Sequence, residues 1–133
     1  MNVIATALWT KLTAGTALTA LLPGTASVYR TQAPEGAALP YVVFPLYAGG
    51  PLNITSSDMR DIVYYIRGYG TTTGQAGSID YQVSSLLHKG TIAVTGYTTY
   101  NLIREQDIEL PEDLPNGQTI FGFGGLYRIR IDD

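Results

Sequence analysis

Between Asp58 and Gly68 the chain reads Asp-Met-Arg-Asp-Ile-Val-Tyr-Tyr-Ile-Arg-Gly, with bulk at every position from Ile62 to Arg67. On a strand, Ile62, Tyr64 and Ile66 point one way and Val63, Tyr65 and Arg67 the other. A strand with bulk on both faces belongs inside a sheet, with at least partial cover on each side. Two segments with helical period can supply cover for one face. In Val3–Ala14, Ile4, Leu8 and Leu12 recur every four residues with Val3 and Trp9 beside them, Asn2 as N-cap and Gly15 as stop. Thr16–Leu22 reads as a short second helical turn, closed by Pro23-Gly24. In Ser78–Lys89 the stripe is Ile79, Val83, Leu86 and Leu87, and Gly90 stands where a C-cap glycine belongs. His88 and Lys89 then fall in the last turn, where the helix dipole favours positive charge.

The remaining strands are expected at Ala26–Thr31, at Tyr41 to about Tyr47 with an edge or bulge at Pro45, at Thr91–Val94, at Tyr97–Ile108 and at Thr119–Ile131. In the last of these, Leu126, Arg128 and Arg130 share one face, and Tyr127, Ile129 and Ile131 the other; Gly122, Gly124 and Gly125 suggest a bend at its start. Loops are expected at Ala33–Leu39, Ala48–Ser57, Gly70–Gly77 and Leu110–Asn116, with a turn at Asn116-Gly117. The order α-β-β-β-α-β-β-β predicts an α+β two-layer sandwich, an antiparallel sheet with two helices packed on one face, as one domain over residues 1–133.

A chain of 133 residues can bury most of its unfolded surface without disulfide or metal. It is 45% hydrophobic and only 14% charged, against roughly a quarter charged in ordinary globular proteins, and it carries ten tyrosines. So little charge over so much apolar surface points to partners. The net charge of −3 makes no basic stripe to grip phosphates. Without cysteine there is no disulfide, thiolate catalysis or cysteine-ligated zinc. The apolar Leu12–Leu22 run before Gly24-Thr25-Ala26-Ser27 has the outline of a signal peptide, but threonines interrupt it and its one basic residue, Lys11, lies deep inside; it is read as part of the fold. No run approaches a membrane span.

Catalytic chemistry finds little to work with. His88 is the sole histidine and reads as a helix-terminal residue; no Gly-x-Ser-x-Gly elbow accompanies it. Asp58 and Asp61 would point to opposite faces of a strand and make no acid/base pair. Five acids, Glu105, Asp107, Glu109, Glu112 and Asp113, read as a solvated strand edge, or as an acidic rim in an assembly; a calcium loop would want a glycine turn before Pro111. Gly122-Phe123-Gly124-Gly125 lacks the spacing of a dinucleotide fingerprint, and Gly70–Gly77 has no Walker lysine. No catalytic residue, metal ligand or cofactor is assigned.

Two stretches carry a resemblance. One is the opening helix followed by Thr16-Ala17-Leu18-Thr19-Ala20-Leu21-Leu22 and a short Val28-Tyr29-Arg30 strand. The other is Gln32-Ala33-Pro34-Glu35-Gly36-Ala37-Ala38-Leu39-Pro40-Tyr41-Val42-Val43, where Leu-Pro-Tyr-Val-Val enters a strand. With the late helix and the closing Tyr127–Ile131 strand, the chain resembles the tail-completion (tail-terminator) family of phages with long non-contractile tails. The resemblance implies a virion protein of the neck, at the top of the tail and assembled in the host cytoplasm. In such a protein a homo-hexameric ring caps the tail tube, stops its polymerisation and offers a surface to the head connector or stopper. Genome DNA passes through the ring without specific binding, and no membrane is involved.

On that reading Tyr64, Tyr65, Tyr69, Arg128 and Arg130 are candidate subunit-interface residues, since tyrosine and arginine are enriched in interface cores. The loop residues Gly49, Gly50, Pro51, Leu52 and Asn53 would meet the tail tube, and the five acids from Glu105 to Asp113 would lie near the channel or rim. A head–tail connector or stopper, a tail-tube subunit and a small hydrolase are the competing readings.

Overall fold

The structure, a computed structural model, describes residues 2–24, 27–34, 36–54, 57–115 and 117–132, with residues 50–54 and 57–59 given by their backbone. The elements are α1 (Asn2–Ala14), α2 (Thr16–Thr19), β1 (Val28–Tyr29), β2 (Tyr41–Val43), β3 (Leu46–Ile54), β4 (Ser57–Gly70), α3 (Thr73–Leu87), β5 (Thr98–Asp113) and β6 (Thr119–Asp132). The α+β class is as expected. The sheet order is β1-β2-β4-β6-β5, with β3 also on β4, and it is mixed rather than antiparallel throughout because β1 runs parallel to β2.

β4 is central, as its double-faced sequence requires. β6 follows one of its edges from Met59↔Asp132 to Gly70↔Phe121. β2 and β3 lie end to end along the other edge, opposite Arg67–Tyr69 and Ser57–Tyr64. They are the two halves of one line broken at Phe44-Pro45. Pro45 has no N–H to give, but its carbonyl accepts from the Tyr65 N–H at 3.0 Å and the ladder resumes at Leu46. Ala48–Ser57, expected as a loop, is therefore mostly strand. Gly49, Gly50 and Pro51 are poor strand formers, yet β3 pairs on one side alone among the described residues, and an edge tolerates them.

Helix α3 begins at Thr73, inside the segment expected to be a loop. Thr72 is its N-cap: the hydroxyl accepts from the Gln75 N–H at 3.1 Å, and the Gln75 side chain accepts from the Thr71 N–H at 2.9 Å. This Thr-x-x-Gln arrangement, in which the Gln75 side chain reaches back to the residue before the N-cap, satisfies two donors at the helix start. At the other end α3 stops at Leu87, His88 is the C-cap, and Lys89 rather than Gly90 takes the left-handed conformation, at φ 58°. Gly90 serves close approach instead, since a Cβ there would lie 2.7 Å from the Leu86 carbonyl oxygen.

Two further expectations change. Thr91–Val94 is not a strand, although Ile92 and Val94 are buried in the core. β5 continues through Pro111 to Asp113, because the hairpin with β6 closes only at Asp113↔Thr119. β6 keeps its register with β4 past Gly122, Gly124 and Gly125.

The helices cover one face of the sheet. The stripes Ile4, Leu8, Leu12 and Ile79, Val83, Leu87 meet Ile62, Tyr64, Ile66, Ile129 and Ile131 in the main core. On the opposite face a small cluster of Val43, Tyr69 and Ile120 is flanked by Ala33, Leu39, Tyr41 and Leu114. Among the described residues no helix packs on that second face.

Candidate functional site

The face left bare by the helices is built by alternation along β4 and β6. β4 contributes Asp61, Val63, Tyr65, Arg67 and Tyr69, and β6 contributes Leu126, Arg128 and Arg130. Charges at one end form a network. Arg128 donates to Asp61 at 2.6 Å and to Glu105 at 2.7 Å, and Arg130 lies 3.9 Å from Asp61. At the other end Arg67 stacks on Tyr65 and Tyr69, with 4.7 Å and 5.1 Å from guanidinium carbon to ring centroid. Its guanidinium is 3.6 Å from Glu112, to which the Tyr69 hydroxyl donates at 3.0 Å.

Of the expected interface residues, Tyr65, Tyr69, Arg128 and Arg130 share this face. Tyr64 does not: it packs beside Phe44 in the helix-facing core, 1% exposed, because the alternation that sends Tyr65 out sends Tyr64 in with Ile62 and Ile66. Arg128 is bound within its own chain, so a charge reversal there would strain the fold as well as any contact. Arg130 is the freer of the two. Gly49 to Asn53 sit on β3, not in a loop; for Gly50, Pro51, Leu52 and Asn53 the strand pairing is the description.

The acids of β5 are mostly engaged. Glu105 holds Arg128, Asp107 holds Arg104, Glu112 holds Tyr69, and Asp113 accepts from the Thr119 hydroxyl at 2.8 Å. Glu109 is exposed.

Arg104 is the residue that sequence reasoning overlooked. It sits where the β5 register shifts against β6, and its five N–H donors find five acceptors. Nε donates to Asp107 at 2.6 Å. Nη1 donates to Asp80 at 2.7 Å and to the Tyr127 hydroxyl at 2.9 Å. Nη2 donates to Asp80 at 2.9 Å and to the Gly124 carbonyl at 3.0 Å. Burial opposes the charge, but the hydrogen bonds to Asp80 and Asp107 outweigh it and hold the guanidinium above its ordinary pKa. Gly125 makes room, since a Cβ there would lie 2.7 Å from Arg104 Nε. His88 belongs to the same junction: its Nδ1 accepts the Arg104 backbone N–H at 3.1 Å.

Among the described residues one shallow concavity of about 230 Å³ gathers His88, Arg104, Glu105, Gln106 and Asp107, but His88 Nδ1 and both carboxylates are already engaged within the chain. A groove of about 840 Å³ between the 32–39 segment and the β5–β6 turn is lined by Ala33, Pro34, Leu39, Leu114 and Ile120, and Tyr41 is the one titratable lining residue among the described residues. Among the described residues no group of three or more histidine or carboxylate ligands could hold a metal, and no helix is long and apolar enough to cross a membrane.

Burial pushes the phenol pKa of Tyr41, Tyr64, Tyr65, Tyr69 and Tyr127 above the ordinary 10.0. The folded chain thus keeps protons that the unfolded chain releases above pH 10.0. Stability is unaffected by these groups at lower pH and is lost as pH rises beyond that value. Urea midpoints are expected to hold steady to about pH 9 and to fall above about pH 10. A midpoint still level at about pH 11 would show that these phenols ionise in place without cost.

The chain therefore offers one sheet face without helices, on which Arg130 is exposed while Val63, Tyr69 and Leu126 are buried, and outer strands that no further strand pairs among the described residues. No curated protein sequence matches it. Among solved structures, a chain from the virion of a native gene transfer agent particle matches with a TM-score of 0.75 over 98% of this chain and 95% of that one, at 16% identity, which is a likeness of fold. The family model for tail completion protein gp17 matches residues 6–118. The chain belongs to the tail completion protein family and is a structural protein of the phage virion's tail or neck.

Proposed function

We propose that the protein forms a hexameric ring that caps the last ring of the tail tube, stops its growth and gives the head connector a surface to dock on, with DNA passing through the hole. What supports this beyond the family is where the exposed chemistry lies. It is spread along the outer strands, at Leu46, Tyr47, Glu109 and Leu110, and at Arg130 on the face without helices, which suits contact with large neighbours rather than conversion of a small molecule. In this reading Tyr65 and Arg130 on the face without helices make contacts within the assembly, Tyr69 supports that face from the small buried cluster, the β3–β4 hairpin carrying Gly49 to Asn53 meets the tail tube, and the β5 acids lie at the rim.

The test is electron microscopy of particles assembled without this protein. Overlong tubes that fail to join heads are the expected result. Tails of normal length beside heads that leak DNA would make it a connector or stopper. Absent tubes would make it a tube subunit, and normal infectious particles would sink an assembly role.

A further inference from the structure

The two ends of the sheet differ in charge. β5, at one end, is a strand of 16 residues that no further strand pairs on its outer side among the described residues; Lys89 and His88 take the Leu102 carbonyl and the Arg104 N–H on that side, ahead of the stretch that carries Glu109 and Leu110. It carries five acids against the single cation Arg104, whose donors are all taken within the chain. The opposite end is formed by β1, β3 and the adjoining α1. From Asn2 to Ile54 the sequence has the cations Lys11 and Arg30 against the single acid Glu35. Arg30, next to β1, is exposed beside a notch formed with Thr6, Trp9 and Phe44, and among the described residues no acid lies in ion-pair range of it.

The apolar surface matches this polarity. Leu46 and Tyr47, at the start of β3, are 53% and 63% exposed, and Leu110 on β5 is 48% exposed. Arg30 and Glu109 also lie on the same side of the sheet. Arg30 borders α1, and Glu109 stands opposite Phe123, whose ring comes up against α3 at Gly77. Two β5 edges brought together would set acid against acid. A β5 edge brought to a β1/β3 edge sets acid against arginine and apolar against apolar.

We infer that the lateral contact of the assembly is heterologous: the Arg30–Leu46–Tyr47 end of one copy docks on the Glu109–Leu110 edge of β5 of the next. This rests on the ring reading and deepens it, since a head-to-tail contact between different surfaces generates a closed ring when its rotation closes. Because each copy has one of each edge, the contact repeats without a second kind of interface.

The test is a charge exchange at two exposed positions, read by electron microscopy as the fraction of tails carrying a cap, with circular dichroism confirming the fold of each variant. Arg30→Glu alone and Glu109→Arg alone are each expected to lower the capped fraction about tenfold or more, because every contact then opposes like charges. A one-to-one mixture of the two variants is expected to restore capping, since alternating copies again pair opposite charges at every contact. Normal capping by either single variant, or no rescue by the mixture, overturns the edge assignment. The wild-type control separates the two levels: caps that class averages show not to be rings overturn the ring reading and this inference with it.

Discussion

Replacing Arg104 by methionine is expected to cost the fold about 3 kcal/mol, equivalent to a fall in Tm of roughly 10 °C for a chain of this size. The guanidinium joins β5 to α3 through Asp80 and to β6 through Tyr127 and Gly124. The Asp80 side chain is only 19% exposed. Without Arg104 its carboxylate stays half-buried beside the Tyr127 hydroxyl with the charge uncompensated, and that orphaned charge accounts for most of the loss. The double variant Arg104→Met with Asp80→Leu is therefore expected to lose less than the two single variants together. Arg104→Lys should recover little, because an ammonium cannot reach five acceptors in a planar fork. Chemical denaturation of the four chains gives the coupling directly. A loss below about 1 kcal/mol for Arg104→Met would mean that the junction is held by packing and not by this residue.

The elements that were legible in the sequence are those whose signal is local. The stripes of α1 and α3 and the alternation of β4 and β6 follow from residues close in the chain, and the structure keeps them. β3 was not legible, because Gly49-Gly50-Pro51 argues for a loop and becomes strand only by pairing with Asp61, Ile62 and Arg60. The early start of α3 rests on Thr72 and Gln75, a capping pair that the glycines around it conceal. Tyr64 is a different lesson: the alternation that sets it with Ile62 and Ile66 already argued for the core, whereas composition alone made it look like an interface residue. Arg128 and Arg130 share a face as their spacing requires, but the acids that hold Arg128 lie 67 and 23 residues away. Arg104 was hidden among acids for the same reason, since its chief partner is 24 residues away on a helix.

Gly124→Ala separates two accounts of the glycines in β6 by the sign of its effect. If these glycines merely weaken the strand, alanine should stabilise it by about 0.5–1 kcal/mol, since glycine carries an entropic penalty in a strand interior. The packing argues for the reverse. A Cβ at Gly124 would overlap the Ile66 carbonyl oxygen and stand 2.6 Å from Arg67 Cα, and both are backbone atoms of the central strand. Backbone cannot turn aside as a side chain can, so β4 and β6 would have to separate where they pair Arg67 with Gly124. The Gly124 carbonyl that accepts from Arg104 would move with them. A destabilisation of about 3 kcal/mol or more is expected, at or beyond the upper end for overpacking, with a matching loss of soluble yield. Gly74→Ala is the control. That glycine lies in the first turn of α3 with nothing but the Thr72 hydroxyl 4.0 Å from an added Cβ, and alanine there should stabilise by about 0.5–1 kcal/mol. Thermal melts of the two variants should therefore move in opposite directions. If both rise, the close approach of β4 and β6 at Gly124 is wrong, and with it the carbonyl position on which the Arg104 junction depends.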